Sequence, residues 1–154
     1  MVRLTDLTEA DALHLLSKDC PRFETEPFRG GPALAQRRVA IVTTAGLHRC
    51  DDAVFDLRDT GYRVIPGGTA GADLVMSHSS VNYDRTGWQQ DVNTVFPLDR
   101  LHSMQKVGEI GSVANFHYAL NGAGWEPHEI EPTCETLAGF LKADAVDAVV
   151  VIPV

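Results

Sequence analysis

The chain has 154 residues, of which 44% are hydrophobic and 22% charged, with a formal net charge of −8. That is enough apolar material for one domain with a real core, and the acidic balance argues against nucleic acid or an anionic membrane surface as the main partner, since both need Lys and Arg. No apolar run approaches the ~20 residues of a membrane span. The N-terminus carries acidic residues where a signal peptide needs an apolar stretch, and Cys20, Cys50 and Cys134 have neither disulfide-framework nor zinc-site spacing. The cytoplasm is the expected location.

Residues 6–18 fit an amphipathic helix, with Thr8 or Asp6 as cap and Leu13 and Leu16 on one face. The stretch "PRFETEPFRGGPALAQ" reads as an extended connector, so residues 1–37 form an N-terminal helix and connector ahead of a domain spanning 38–154. "RRVAIVTT" is continuously apolar, as a strand covered on both faces would be. "AGLHRCDDAVFDLRDTG" reads as a loop with one helical turn, "YRVIP" as a second strand and "ADLVMSHS" as a third. The polar segment "VNYDRTGWQQDVNTVF" is a long loop of the kind that carries function. A helix follows near 97–107, with Pro97 at its start and Gly108 at its end. "SVANFHYALNGAGW" fits strand or turn equally. Pro132 or Thr133 opens a last helix to 143, and Val146–Ile152 is a final buried strand.

Strands alternating with helices over short connections predict an α/β domain: a mostly parallel sheet flanked by helices in a Rossmann-like, three-layer arrangement. The expected sheet contains Val39–Thr43, Tyr62–Ile65, Asp73–Ser77 and Val146–Ile152. Ligands of such sheets gather beyond the carboxyl ends of the strands. Thr43 and Thr44 end the first strand and can hold a carboxylate or phosphate. His78 ends the third, with Asp84 close in sequence, and His with a carboxylate is the usual acid–base pairing and equally a metal pair. Folding of 79–96 over that edge would bring Asp84, Asp91 and Asn93 inward, and His78 beside a carboxylate would have its charged form favoured. His117 fits core or site equally. Cys134 in a first helical turn would have a lowered thiol pKa, and Cys50 has His48 two residues away as a possible base. "GGTAGA" does not match a dinucleotide signature.

The ordered series "VAIVTTAGLH", "YRVIP", "ADLVMSHSSVNYD", "DVNTVFPLDRL", "VGEIGSVANFHYALNG" and "LKADAVDAVVVIPV" resembles the selenoprotein B family of glycine/sarcosine/betaine/D-proline reductases, from about Arg38 onward. The resemblance implies a multi-subunit complex that cleaves a C–N bond reductively with electrons from thioredoxin. It also implies that a selenocysteine or cysteine loop follows the final strand, a loop that lies beyond Val154 in the family. Cys50 and Cys134 do not match that position. The expected function is therefore a reductase-like oxidoreductase subunit or fragment acting on a small amino or carboxylic acid, its redox nucleophile supplied by a partner or a further segment. His78 and Asp84 would be catalytic; Thr43, Thr44, Asp91, Asn93 and His117 would bind substrate. No resident metal is assigned, the cofactor is left open, and a partner subunit or homo-oligomer would cover the exposed side of the final strand. The alternatives are a non-redox small-molecule-binding or scaffold protein, or a metal-dependent enzyme using His78 and Asp84.

Overall fold

The structure, a computed structural model, describes residues 3–17, 22, 24, 26–81 and 83–154. Cys20 and the end of the expected N-terminal helix at Lys18 lie outside the described residues. Helix α1 spans Glu9–Leu16, and Thr8 caps it by accepting from the Asp11 amide at 3.2 Å. None of its residues is buried, and Leu13 and Leu16 remain exposed. Burial begins at Val39; no described residue before it is buried.

The sheet is organised on β1 (Arg38–Thr43). Three strands pair with it, all parallel: β5 (Ser112–Val113), β6 (Phe116–Leu120) and β7 (Ala148–Ile152). β5 meets the beginning of β1 and β6 its end, while β7 runs alongside Val39–Thr43. The alternation of β1 decides its two faces. Val39 and Ile41 enter a cluster with Leu47, Leu74, Phe96, Leu98 and Leu101. Val42 turns to a second cluster built on Tyr118, Leu120, Ile130 and Leu137. Helix α3 (Leu98–Lys106) contributes to the first and α4 (Pro127–Ala143) to the second.

Two expected strands take other partners. β3 (Tyr62–Pro66) joins the sheet antiparallel to β6, from Tyr62 opposite Leu120 to Pro66 opposite Phe116. β4 (Leu74–Met76) lies outside this sheet, pairing antiparallel with β2 (Leu47–Arg49) in the stretch expected to be loop. An apolar run signals burial but not the direction of its neighbour, and that is why β3 and β4 depart from the parallel places expected of them while the sheet stays mostly parallel. The result is a mixed α/β fold with a mostly parallel sheet and helices; a Rossmann-like three-layer order does not follow from these pairings.

The helix boundaries show a similar split. Gly108 follows α3 with φ +78, as its terminator should. Pro97 is the N-cap of α3, one position before the expected one. α4 begins ahead of both expected starts, Pro132 and Thr133, because Pro127 takes its first position and Glu126 and Glu129 form a reciprocal capping box. Pro132 then lies inside the helix. The long polar segment 81–96 is not a bare loop: it holds helix α2 (Thr86–Gln90) and a 3-10 turn at Val92–Thr94. No helix among the described residues is long and apolar enough to cross a membrane.

Candidate functional site

Beyond the carboxyl ends of β1, β6 and β7 the chain segments are tied together over a short distance. The Thr44 hydroxyl accepts from the Val154 amide at 2.8 Å and lies 3.3 Å from the Val154 carbonyl. Ala45 bridges Asn121 just past the ends of β1 and β6. His78 arrives at this edge from the β2–β4 ribbon, not along a parallel strand. Its backbone lies directly on Gly46, where φ is +63 and a Cβ would stand 2.8 Å from His78 Cα. Glycine is needed there for the turn and for the approach.

The His78 side chain is buried, at 5% exposure. Its Nδ1 accepts from the Ser80 amide at 3.1 Å, so in the neutral ring the proton sits on Nε2. That Nε2 has no partner of full hydrogen-bond geometry. It faces Gly122, where a Cβ would come within 2.5 Å of the Val154 carbonyl, 2.7 Å of the Thr44 carbonyl and 2.8 Å of His78 Nε2. Burial lowers the His78 pKa, the Val154 carbonyl partly opposes this, and the Arg85 charge lowers it further. The expectation of a favoured imidazolium is reversed, chiefly because the ring is buried, and further because its charged neighbour is Arg85 and not a carboxylate.

The loop after His78 is fastened by Arg85. Its guanidinium donates to the carbonyls of His78 (2.8 Å), Ser80 (3.1 Å) and Tyr83 (3.3 Å) and lies 5.8 Å from the Tyr83 ring centre. The Tyr83 ring in turn packs on His78 at 5.2 Å. From the other side Asn121, fully buried, accepts from the Ser79 amide and exchanges hydrogen bonds with its hydroxyl, while its amide nitrogen also donates to the Asp56 carbonyl at 3.1 Å. Trp125 donates to the Asn121 carbonyl. Sequence reading missed Asn121, Ser79 and Arg85. The signal for Asn121 was present: an Asn-Gly pair directly after the apolar run "HYAL" marks a tight turn at a strand's end.

The other expected site residues are distributed as follows. Thr43 is fully buried beside Thr44, its hydroxyl accepting from the Ala45 amide at 3.2 Å. Asp84 is exposed, accepts from the Thr86 amide at 2.9 Å, and has no hydrogen bond to His78 among the described residues. Hydrogen bonds from the Thr86 hydroxyl and amide hold its carboxyl below the usual range. Asp91 and Asn93 form a cluster of their own. Asp91 Oδ1 accepts from the Asn93 side chain (2.8 Å) and amide (2.9 Å), Oδ2 from Arg100 (3.3 Å), and these lower its pKa. His117 sits below the site within the sheet. Its Nδ1 accepts from the Ile41 amide at 2.9 Å, filling the gap between β5 and β6 where β1 has no backbone partner. Burial, reinforced by His102, lowers its pKa to about 4.

Both described cysteines are exposed thiols. Cys50 is at the far end of the β2–β4 ribbon from His78, beside an open cavity of about 430 Å³ bounded by Arg49, Thr69 and Asp73. Cys134 lies two turns into α4, out of reach of the helix N-terminus, and partial burial together with Glu131 pushes its thiol up, against the expectation of a lowered value. No group of three or more His, Cys, Asp or Glu residues able to hold a metal occurs among the described residues.

The family model for glycine/sarcosine/betaine reductase selenoprotein B matches residues 70–153, which include β4, His78, the Arg85 loop, Asn121 and β7. The chain belongs to this family. It is 36% identical over 118 residues to the D-proline reductase subunit gamma of Acetoanaerobium sticklandii, an alignment covering 75% of this chain and 48% of that protein. The betaine and sarcosine reductase complex component B beta subunits of Peptoclostridium acidaminophilum are 26% and 29% identical, covering 76% of this chain and 28% of theirs. The chain thus spans about half the length of the first relative and less of the other two. No solved structure matches it.

Proposed function

We propose that this selenoprotein B family chain is a cleft-forming part of a reductase acting on a small amino or carboxylic acid, with the redox nucleophile supplied by a partner polypeptide or a further segment. The observation that carries this reading is buried His78, its Nε2 turned toward the Val154 carbonyl at the carboxyl ends of β1 and β7 in a chain of this family. The names of the relatives, all subunits of reductases or reductase complexes, support an assembly with partner subunits.

Reductive cleavage of a C–N bond consumes two electrons and two protons. A dithiol supplies the electrons as it becomes a disulfide, and one proton must reach the departing nitrogen. With Nδ1 accepting from Ser80, the neutral His78 ring carries its proton on Nε2, and that N–H serves as the hydrogen-bond or proton donor at the reacting end. Asp84 is the carboxylate on the loop above it. Thr44 lines the strand end, and the Asp91–Asn93–Arg100 cluster offers a second polar contact along the same segment. Thr43 and His117 act from below, fixing the backbone that presents the site.

The test is to co-express the chain with the partner subunits of a reductase complex of this family and follow dithiol-dependent consumption of glycine, sarcosine, betaine and D-proline. Consumption of at least one of them, dependent on this chain, is expected. An assembled complex that consumes none of them would refute the reading.

A further inference from the structure

In an acidic chain of net charge −8, Arg85 forms no salt bridge among the described residues. The adjacent Asp84 carboxylate is engaged by the Thr86 amide. The guanidinium turns instead onto the backbone carbonyls of His78, Ser80 and Tyr83. These bonds clamp particular peptide units. The His78–Ser79 peptide is held at both ends, its carbonyl by Arg85 at 2.8 Å and its N–H by the Asn121 side-chain oxygen at 3.3 Å. The peptide after Ser80 is held through its carbonyl at 3.1 Å. Between them lies the Ser79–Ser80 peptide, whose N–H donates to His78 Nδ1 at 3.1 Å. Peptide units are planar, so fixing the two flanking planes leaves the middle one little freedom to turn. Tyr83, whose carbonyl Arg85 also holds, packs its ring on His78. A planar fork of N–H donors can span three carbonyls, whereas the lysine ammonium is a point charge on a flexible stem.

We propose that Arg85 is the positioning residue of the candidate site: it holds the Ser79–Ser80 peptide so that its N–H occupies His78 Nδ1, which directs Nε2 to the carboxyl ends of β1 and β7. Arg85 acts through the backbone and needs no contact with substrate. Burial and the Arg85 charge both disfavour the imidazolium, which keeps the ring in the neutral form that this arrangement uses. The role rests on the reading of His78 as the donor of a reductase site.

Nitrogen-15 NMR of the histidine rings and amide hydrogen exchange on the full chain test it, with His78→Gln assigning the ring signals. Arg85→Lys keeps the charge without the fork, and Arg85→Met loses both. In the native chain the Nδ1 signal should be that of a hydrogen-bonded acceptor, and the Ser80 amide should exchange at least about tenfold more slowly than an exposed amide. Each folded variant should lose Ser80 protection about tenfold relative to the Ile41 amide in the core and move the Nδ1 signal toward its unbonded value. A merely structural arginine would lower both amides together. In an assembled reductase complex each variant should lower kcat at least about tenfold and leave KM within about twofold. An unprotected Ser80 amide in the native chain would overturn the proposal. So would folded variants with Ser80 and Nδ1 unchanged, a native kcat where the turn has loosened, or failure of both variants to fold. The spectroscopy uses the chain without substrate, so a complex that turns nothing over refutes the reductase reading while the hold of Arg85 on His78 is measured separately.

Discussion

His78, Gly122 and His117 show how single side chains set the character of the candidate site. Gly122 leaves no room for even a methyl group, since three polar atoms crowd the position its Cβ would take. Gly122→Ala should therefore push His78 off the strand ends and destabilise the fold by about 1–3 kcal/mol, measured by denaturant unfolding. His117 makes a pH prediction. Its folded pKa of about 4 lies below the ordinary 6.5, so the unfolded chain takes up a proton that the folded chain refuses. The associated stability, about 3 kcal/mol, is present above pH 6.5 and lost as the pH falls toward 4. His117→Gln, whose side-chain oxygen can still accept from Ile41, should make unfolding free energy less steep in pH over that window; an unchanged slope would remove His117 from the account. The chemistry of these residues was only partly legible in the sequence. A histidine's type is visible, but whether its nitrogens answer backbone amides, as at Ile41 and Ser80, depends on contacts 76 residues apart in one case and two in the other.

At the scale of elements, Asp144 at the end of α4 holds the sheet's interruption together. It pairs with Arg38 at 2.7 Å and accepts from the Asn115 amide at 2.8 Å and side chain at 3.1 Å, so α4, β1 and the β5–β6 gap share one carboxylate. Both ionic partners are mostly buried. Removing the carboxylate takes the ionic partner from Arg38, which keeps the Asp144 carbonyl and the Ser112 hydroxyl, and one acceptor from the exposed Asn115 amide, so Asp144→Ala should cost about 1–3 kcal/mol in thermal or denaturant unfolding. Apolar periodicity located β1, β3, β7 and α3 because their burial is continuous or one-sided. It could not show that β3 runs antiparallel, that β4 leaves the main sheet for β2, or that Glu126 rather than Pro132 starts α4. Strand direction and partner are set by tertiary contacts, and the capping box competed with a proline signal that a helix interior can absorb.

Across the whole molecule, the core and the candidate site lie within the part that follows Arg37. Helix α1 buries nothing, and the described residues before Val39 are all at least partly exposed. A chain lacking residues 1–30 is expected to keep its unfolding temperature within about 3 °C of the full chain, whereas a large drop would mean the N-terminal segment supports the core. Four motifs of the family series coincide with the pieces that build one edge: the end of β1, the His78–Arg85 loop, the Asn121–Gly122 turn and the end of β7. The central claim is that this edge does the reductase's work through His78. It is tested most directly by dithiol-dependent substrate turnover in the assembled complex with native chain and with His78→Gln, assembly and circular dichroism being matched. Turnover should fall about 100-fold or more in the variant; turnover at the native rate would contradict the account.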